Sequence, residues 1–490
     1  MPADRRLIRA SPASVEYRLG TLNIKPQDQE RRAMRTETIK HNIGVISALG
    51  AVAPLLAVLA LPAAALAQSS PTPGPSGQPI APSDIGASQI WAMYGQSTFT
   101  EQYHPAFRSD VQGANSLNPG SRGNETFDAT LYAGVRPWAG GEIWINPEID
   151  QGFGLSDTLG VAAFTSAEAY KVGAASPYAE IPRLFFRQTL DLGGGTEKID
   201  PTLNVLGGTQ TANRLVLWVG KFSVTDIFDT NAYANDGRNQ FLNWALVNAG
   251  TFDYAANSWG YTYGAAAEWY QDWWTLRAGG FALSTVPNSP DLDTSGSEFQ
   301  LVGEAEERHH LWGRDGKLKV TGFLSRGRMG DYNDATALAA QTGTPADIAA
   351  VRRYRSRSGI SINLEQSITD QLGLFARAGT AQGGVESYEF SDIDKTFSVG
   401  LALQGKYWNR PDDTVGLAFV IDDISRAAKN YLNAGGLGIL VGDGSLLDSG
   451  PESVAEAYYR YALTSFAQIT ADYQLVNNPG YDRLRGPVSV

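Results

Sequence analysis

The stretch FDATLYAGVR (127–136) alternates with a strict period of two. Phe127, Ala129, Leu131, Ala133 and Val135 fall on one face, and Asp128, Thr130, Tyr132 and Arg136 on the other. After Pro137-Trp138-Ala139-Gly140 the chain returns as GEIWINPEI (141–149). There Ile143 and Ile145 oppose Glu142, Trp144, Asn146 and Glu148. Successive side chains of a strand point to opposite faces, so this pattern describes an antiparallel hairpin with one greasy and one polar side.

The unit recurs along the chain. GYTYGAAAEWY (260–270) is followed by WWTLRAGGFAL (273–283), and FQLVGEAEER (299–308) by KLKVTGFLS (317–325). SGISINLEQ (358–366) pairs with LGLFARAG (372–379), TFSVGLALQGK (396–406) with TVGLAFVI (414–421), and AEAYYRYAL (455–463) with FAQITADYQL (466–475). RLFFRQTLDL (183–192) and RLVLWVGKF (214–222) make a further hairpin across a longer Gly-rich turn. SQIWAMYGQSTF (88–99) reads as a lone first strand, and Gly486–Val490 as the beginning of a last one, giving sixteen. Tight turns alternate with long polar connections at 150–181, 223–258, 328–355 and 423–453.

An uncharged run from Ile43 to Ala67, behind Arg35 and Lys40 and ending Ala65-Leu66-Ala67, reads as an export signal with a small-x-small cleavage site. Residues 1–67 are therefore expected to be an N-terminal extension plus cleaved signal peptide, with Met34 as the start. Residues 68–86, rich in Pro, Ser and Gly, are expected to be a flexible leader. Residues 87–490 form the folded part. An exported chain with short turns at one end and long loops at the other has the layout of an outer-membrane barrel. At ~26 residues per strand with its connection, the chain beyond Ala67 supplies about sixteen strands. The expected fold is all-β: a transmembrane antiparallel β-barrel of about 16 strands, with short periplasmic turns and long extracellular loops. Trp138, Trp273, Trp274, Trp312 and Trp408 lie at or beside the tight turns, where a membrane interface gives an amphipathic ring its place.

Composition narrows the function. The 490 residues contain no Cys, which removes disulfides, thiolate metal sites and cysteine nucleophiles. A formal charge of -12 argues against nucleic-acid binding.

Several blocks resemble carbohydrate-selective porins of the OprB type. They are YGQSTFTEQYHPAF (94–107), RGNETFDATLYAGVRPWAGGEIWINPEIDQGFGLSDTLGVA (122–162), FLNWALVNAGTFDYAANSWGYTYGAAAEWYQDWW (241–274) and ADYQLVNNPGYDRLRGPVSV (471–490). The resemblance implies a sixteen-stranded channel of Gram-negative outer membranes for passive diffusion of mono- or small oligosaccharides into the periplasm. Barrels of this kind end in a full strand with a terminal aromatic residue. This chain ends at Val490, so its closing strand is expected to be incomplete.

A barrel of this size encloses a polar lumen, and sugar preference requires long loops to narrow it. Loops 150–181 and 223–258 are the candidates. A sugar offers flat C–H faces and a rim of hydroxyls, so selection calls for aromatic rings beside charged groups, with binding weak enough to permit flux. On the polar parity, Arg136, Glu142, Arg183, Arg187, Arg277 and Glu304 are the candidates to line the constriction, and Tyr132, Trp144 and Phe185 to stack on sugar faces. The same parity also places Asn146, Glu148, Glu306, Glu365, Arg377, Glu456, Arg460, Phe281, Phe375 and Tyr458 on the lumen side. Each lumen charge has a plainer use, pairing across strands to satisfy its neighbour.

No cofactor or metal is expected. Asp293-Thr294-Ser295-Gly296 matches an aspartic-protease turn but has no second copy. The calcium-loop start at Asp291 reaches Val302 where a bidentate Glu is needed. His309 and His310 are adjacent and point to opposite faces. Gly435–Gly444 lacks a Walker lysine. An outer-membrane enzyme would need a nucleophile–base pair, which His104, His309 and His310 do not supply. A general or ion-preferring diffusion porin shares every architectural feature and is the alternative. Neutral sugars and outer-membrane lipid are the expected partners; a homotrimer is one possible assembly, and the sequence does not say whether the barrel trimerises.

Overall fold

The computed structural model describes residues 88–169, 173–389 and 391–490. The expected extension, signal peptide and leader at 1–86 lie outside the described residues. Sixteen strands form one sheet in sequence order, every neighbour antiparallel. They are β1 (Trp91–His104), β2 (Arg122–Val135), β3 (Gly141–Gly152), β4 (Ala174–Ile199), β5 (Gly208–Phe222), β6 (Thr262–Tyr270), β7 (Trp274–Ala282) and β8 (Phe299–Leu311), followed by β9 (Arg314–Met329), β10 (Arg353–Ser367), β11 (Leu372–Ala381), β12 (Lys395–Gln404), β13 (Thr414–Asp423), β14 (Glu452–Ala462), β15 (Gln468–Asn477) and β16 (Val488–Ser489). The sheet curls into a nearly closed barrel, in which β16 contributes two residues paired to β15. Among the described residues, three short α-helices sit in the long connections: α1 (Trp244–Val247), α2 (Tyr332–Thr342) and α3 (Arg426–Asn433). No helix among the described residues is long and apolar enough to cross a membrane.

Period-two alternation decides which face each residue takes. In β2, Phe127 and Val135 are exposed outward while Asp128, Thr130 and Tyr132 are buried inward. In β13, Leu417, Phe419 and Ile421 face out and Ala418, Val420 and Asp422 face in. The outer surface is thus an apolar belt, with Trp138, Trp273 and Trp312 exposed at the short-turn end.

One hairpin differs from its expected shape. The Gly-rich segment after Leu192 is not a loose turn: β4 continues to Ile199 and β5 starts at Gly208, so the ladder runs on to Ile199↔Gly208. Bulges at Gly193 bend this ribbon. Backbone pairing overrode the expectation because glycine at a bulge tolerates positive φ, here 98° at Gly193 and 87° at Gly194.

The inside is not a uniformly wet lumen. The connection between β5 and β6 folds into the barrel and carries its own apolar cluster of Phe228, Phe241, Trp244, Leu246 and Phe252, all buried. Phe241 packs edge-on against Tyr458 (4.9 Å between centroids) and tilted against Phe375 (5.3 Å), which seats the loop on β11 and β14. Polar wall residues catch its backbone. Glu456 accepts from the amides of Leu242 (2.6 Å) and Asn243 (3.0 Å), Glu365 from Ala232 (2.8 Å) and Glu304 from Asp229 (2.7 Å). An irregular segment inside a barrel must have its peptide groups satisfied by the wall, and these carboxylates do so.

Candidate functional site: the lumenal cavity beside strands β3 to β7

Packing of that loop against β11 and β14 leaves open space on the opposite side. A cavity of about 720 Å³ lies along the inner faces of β3–β7 and is closed in by Phe164, Ala167, Glu168 and Ala169 of the β3–β4 connection and by residues of the connection 223–261. That size falls among sites for small organic molecules, ~300–1,000 Å³. Its lining carries five guanidiniums (Arg183, Arg187, Arg214, Arg238 and Arg277) and five carboxylates (Glu142, Glu168, Asp226, Asp236 and Glu268). Among them stand the rings of Phe185, Trp218, Tyr254, Trp259, Tyr261 and Tyr270.

The wall supplies the first layer through register. Glu142 of β3 lies directly opposite Arg187 of β4, which lies opposite Trp218 of β5. Glu142 accepts hydrogen bonds from Arg187 and from Arg136 (3.0 Å), and also from the Trp144 indole (2.9 Å). The Arg187 guanidinium rests 4.8 Å from the Trp218 ring centroid, and Phe185 lies 5.0 Å from the same indole. Further round, Arg277 donates to Glu268 (2.9 Å), Glu304 (2.7 Å) and Glu306 (2.9 Å), so one cation holds three carboxylates. Arg277 of β7 lies in register between Glu268 of β6 and Glu304 of β8, so the like charges on either side meet a counter-ion between them.

The loops supply the second layer. Arg183 grips Asp226 with both Nε (2.8 Å) and Nη2 (2.7 Å), and its guanidinium stands 5.0 Å over the Tyr261 ring. A bidentate pair fixes orientation as well as distance, so Asp226 pins the start of the infolded loop to β4. Arg238, further along that loop, donates to Asp128 of β2 (3.0 Å), to Gln96 of β1 (3.1 Å) and to Glu168 of the other loop (2.6 Å). Burial pushes the Glu168 carboxyl above its ordinary range, with the Arg238 guanidinium pulling part of the way back. Phe164 and Trp244 stack face to face at 5.1 Å and 12°, joining the two loops at their apolar sides.

The structure brings Glu142, Arg183, Phe185, Arg187 and Arg277 together on this lining. Arg136, Tyr132, Trp144 and Glu304 stand outside it. Arg136 points toward the short-turn end, where it donates to the carbonyls of Gln89 (2.9 Å), Gly207 (3.0 Å) and Leu206 (3.1 Å). Tyr132 donates to Gln96 (2.9 Å) beneath Arg238. Trp144 lies flat over Gly134, so close that a Cβ there would come within 2.5 Å of the indole, and its ring is buried as wall packing. Glu304 divides its oxygens between Arg277 and the infolded loop.

Residues not singled out from the sequence complete the lining: Trp218, Glu268 and Tyr270 on the wall, and Asp226, Arg238, Tyr254, Trp259 and Tyr261 on the loop. The wall members share the inward parity of their strands and were within reach of that signal. The loop members follow no period, and only the fold brings them to the cavity. Among the described residues no group of three or more His, Cys, Asp or Glu is arranged to hold a metal ion.

The family model described as "Carbohydrate-selective porin, OprB family" matches residues 114–490. The high-pH structure of Pseudomonas putida OprB superposes with a TM-score of 0.59 at 16% identity, covering 80% of this chain and 92% of that one. The outer membrane channel DcaP of Acinetobacter baumannii gives a TM-score of 0.43 at 10% identity, covering 79% and 90%. No curated protein sequence matches. The likeness to P. putida OprB is one of fold, and the family match spans most of the barrel from the β1–β2 connection to the last residue: this chain belongs to the OprB family of carbohydrate-selective porins.

Proposed function

We propose that the cavity beside β3–β7 is the constriction at which this porin selects its solutes, and that those solutes are neutral mono- or small oligosaccharides. The observation that carries the reading is the interleaving of rings with ions of both signs, five of each, on a single lining, where Arg183 pairs with Asp226, Arg187 with Glu142, Arg238 with Glu168 and Arg277 with Glu268. Paired ions leave little net field for a charged solute, while their remaining N–H groups and oxygens can exchange hydrogen bonds with sugar hydroxyls. Phe185 and Trp218 offer flat faces to the sugar's C–H side; Arg183, Arg187, Glu142 and Arg277 address its hydroxyl rim. Contacts of this kind are individually weak and exchangeable, as flux demands. Contact of the outward apolar belt with outer-membrane lipid and a homotrimeric assembly belong to the same reading.

Liposome swelling with neutral sugars of graded size, set against bilayer conductance in simple salts, tests it. Sugars are expected to enter faster than other neutral solutes of equal size, and Phe185→Ala with Trp218→Ala to remove that advantage. Equal rates for all solutes of one size would leave a general diffusion porin. Cross-linking in native membranes that yields monomer alone would remove the trimer.

A further inference from the structure

The cavity has a second boundary, at the opposite end from the long loops. β3 stops pairing with β4 at Gly141↔Gln188, and β6 stops pairing with β5 at Arg214↔Tyr270. Beyond those points β4 and β5 continue as a ribbon with no outer neighbours, reaching Ile199↔Gly208. A lone two-stranded ribbon is marginal in water, and an ordinary turn would have ended near Gln188. This ribbon instead bends at Gly193 and Gly194 and brings its tip, residues 200–207, back against the barrel. Leu206 is fully buried there.

The tip is held by groups that would otherwise face the lumen. Arg136 donates to the Leu206 and Gly207 carbonyls, Arg187 to the Asn204 carbonyl (2.9 Å), and Glu142 accepts from the Leu206 amide (3.4 Å). Gln89, ahead of β1, closes a two-way bond: its amide donates to the Gly207 carbonyl (2.9 Å) and its side-chain oxygen accepts from the Gly207 amide (2.9 Å). Hydrogen bonds from charged groups are stronger than neutral ones, and a bare ribbon lacks them. Ile199, Leu203, Asn204 and Val205 then line the same cavity as Arg187 and Trp218.

We propose that the β4–β5 tip is a second selectivity element on the periplasmic side, an apolar rim that sets the largest sugar able to leave the cavity. The inference rests on the cavity being the sugar path. Ile199, Leu203 and Val205 offer no hydrogen bonds from their side chains, so a sugar passing them sheds water without replacement, and longer oligomers shed more.

The test uses the full-length porin in liposomes and reads the trisaccharide-to-monosaccharide ratio of entry rates. In one variant residues 193–212 are replaced by Asn-Gly, so that Leu192 and Asn213 flank a two-residue hairpin turn. In the other, Leu203→Trp, the rim is thickened. The excision is expected to raise the ratio about fivefold and Leu203→Trp to lower it by a similar factor, with monosaccharide entry changed less than about twofold, since a constriction discriminates most among the solutes nearest its own width. Heat-modifiable migration on gels reports folding, and if the excision does not fold, Leu203→Trp alone decides. A ratio unchanged from the parent in the folded variants overturns the proposal. A parent porin whose rates ignore sugar identity altogether overturns the reading of the cavity instead, whatever the tip variants do.

Discussion

Arg187 makes three kinds of contact at once: an ion pair with Glu142, a cation–ring contact with Trp218 and a hydrogen bond to the β4–β5 tip. Its neighbour Trp218 has its indole N–H committed to Glu268 (2.8 Å), which fixes the ring's orientation. Trp218→Ala is therefore expected to weaken sugar binding in the channel by about fivefold, ~1 kcal/mol, as read from sugar block of ion current. Trp218→Phe should restore most of that loss, because the face remains. A second residue acts on stability alone. Asp413, in the turn between β12 and β13, accepts from Arg410 (2.6 and 3.0 Å), from Tyr459 and from the Ala462 amide (3.0 Å). The hydrogen bond from Arg410 leads in holding its carboxyl down to about 2. A depressed carboxyl stabilises the fold above its unfolded value of ~3.9, and that contribution is lost as pH falls from there through about 2. Asp413→Asn should lower the melting temperature in detergent at pH 7 and flatten its decline between roughly pH 4 and 2; an unchanged pH profile would exclude the role.

At the scale of elements, the infolded connection 223–261 behaves as an internal wall. Arg377, fully buried on β11, donates to the carbonyls of Leu246 (2.7 Å), Ala234 (2.7 Å), Asp229 (3.1 Å) and Val247 (3.3 Å), and lies 3.4 Å from the Asp229 carboxylate. Arg377→Met keeps much of the volume, takes the guanidinium donor from four carbonyls and leaves the Asp229 carboxylate its bonds from the Ala249 amide (2.6 Å) and the Asn363 side chain (2.8 Å) with no counter-charge. Breaking a buried pair by removing one partner costs ~3–5 kcal/mol. The expected outcome is a lower melting temperature and a larger, noisier single-channel conductance, because the loop loses its main fixing point. Normal conductance in a stable variant would show that the aromatic seam of Phe241, Phe375 and Tyr458 suffices. The turns at the short-turn end differ among themselves for a related reason. Most turns stop where their outer neighbours stop, whereas the β4–β5 ribbon runs past them and depends on Arg136, Arg187 and Gln89.

At the scale of the whole molecule, the chain is an outer-membrane porin whose outer face is apolar and whose inner face is divided between a packed half and a wet half. The family is one of channels and not an enzyme class. The outward residues have a direct test. Phe419 sits midway along β13 with its ring turned out. Phe419→Arg should destabilise the lipid-embedded barrel by ~2–4 kcal/mol if that position is at mid-membrane. The same change should cost far less in a water-soluble sandwich edge, so unfolding in vesicles separates the two environments.

Much of this was legible in the residues. Alternation in FDATLYAGVR, FQLVGEAEER and their partners determined strand number, inward parity and the alternation of short with long connections, because a strand's side chains have only two directions to choose from. Parity likewise puts Glu142, Arg183, Phe185, Arg187 and Arg277 on the lumen side. It could not give height along the strand or what stands opposite, so nothing in period two separates Arg187, on the cavity, from Arg136, tied to a hairpin tip. Nor could it place Asp226, Arg238 or Tyr261, which lie on segments without a period and reach the cavity because Phe241 buries itself against Phe375 and Tyr458 of the far wall. The local backbone selects the face of a residue; long-range packing of an aperiodic loop selects which of those faces still meets water.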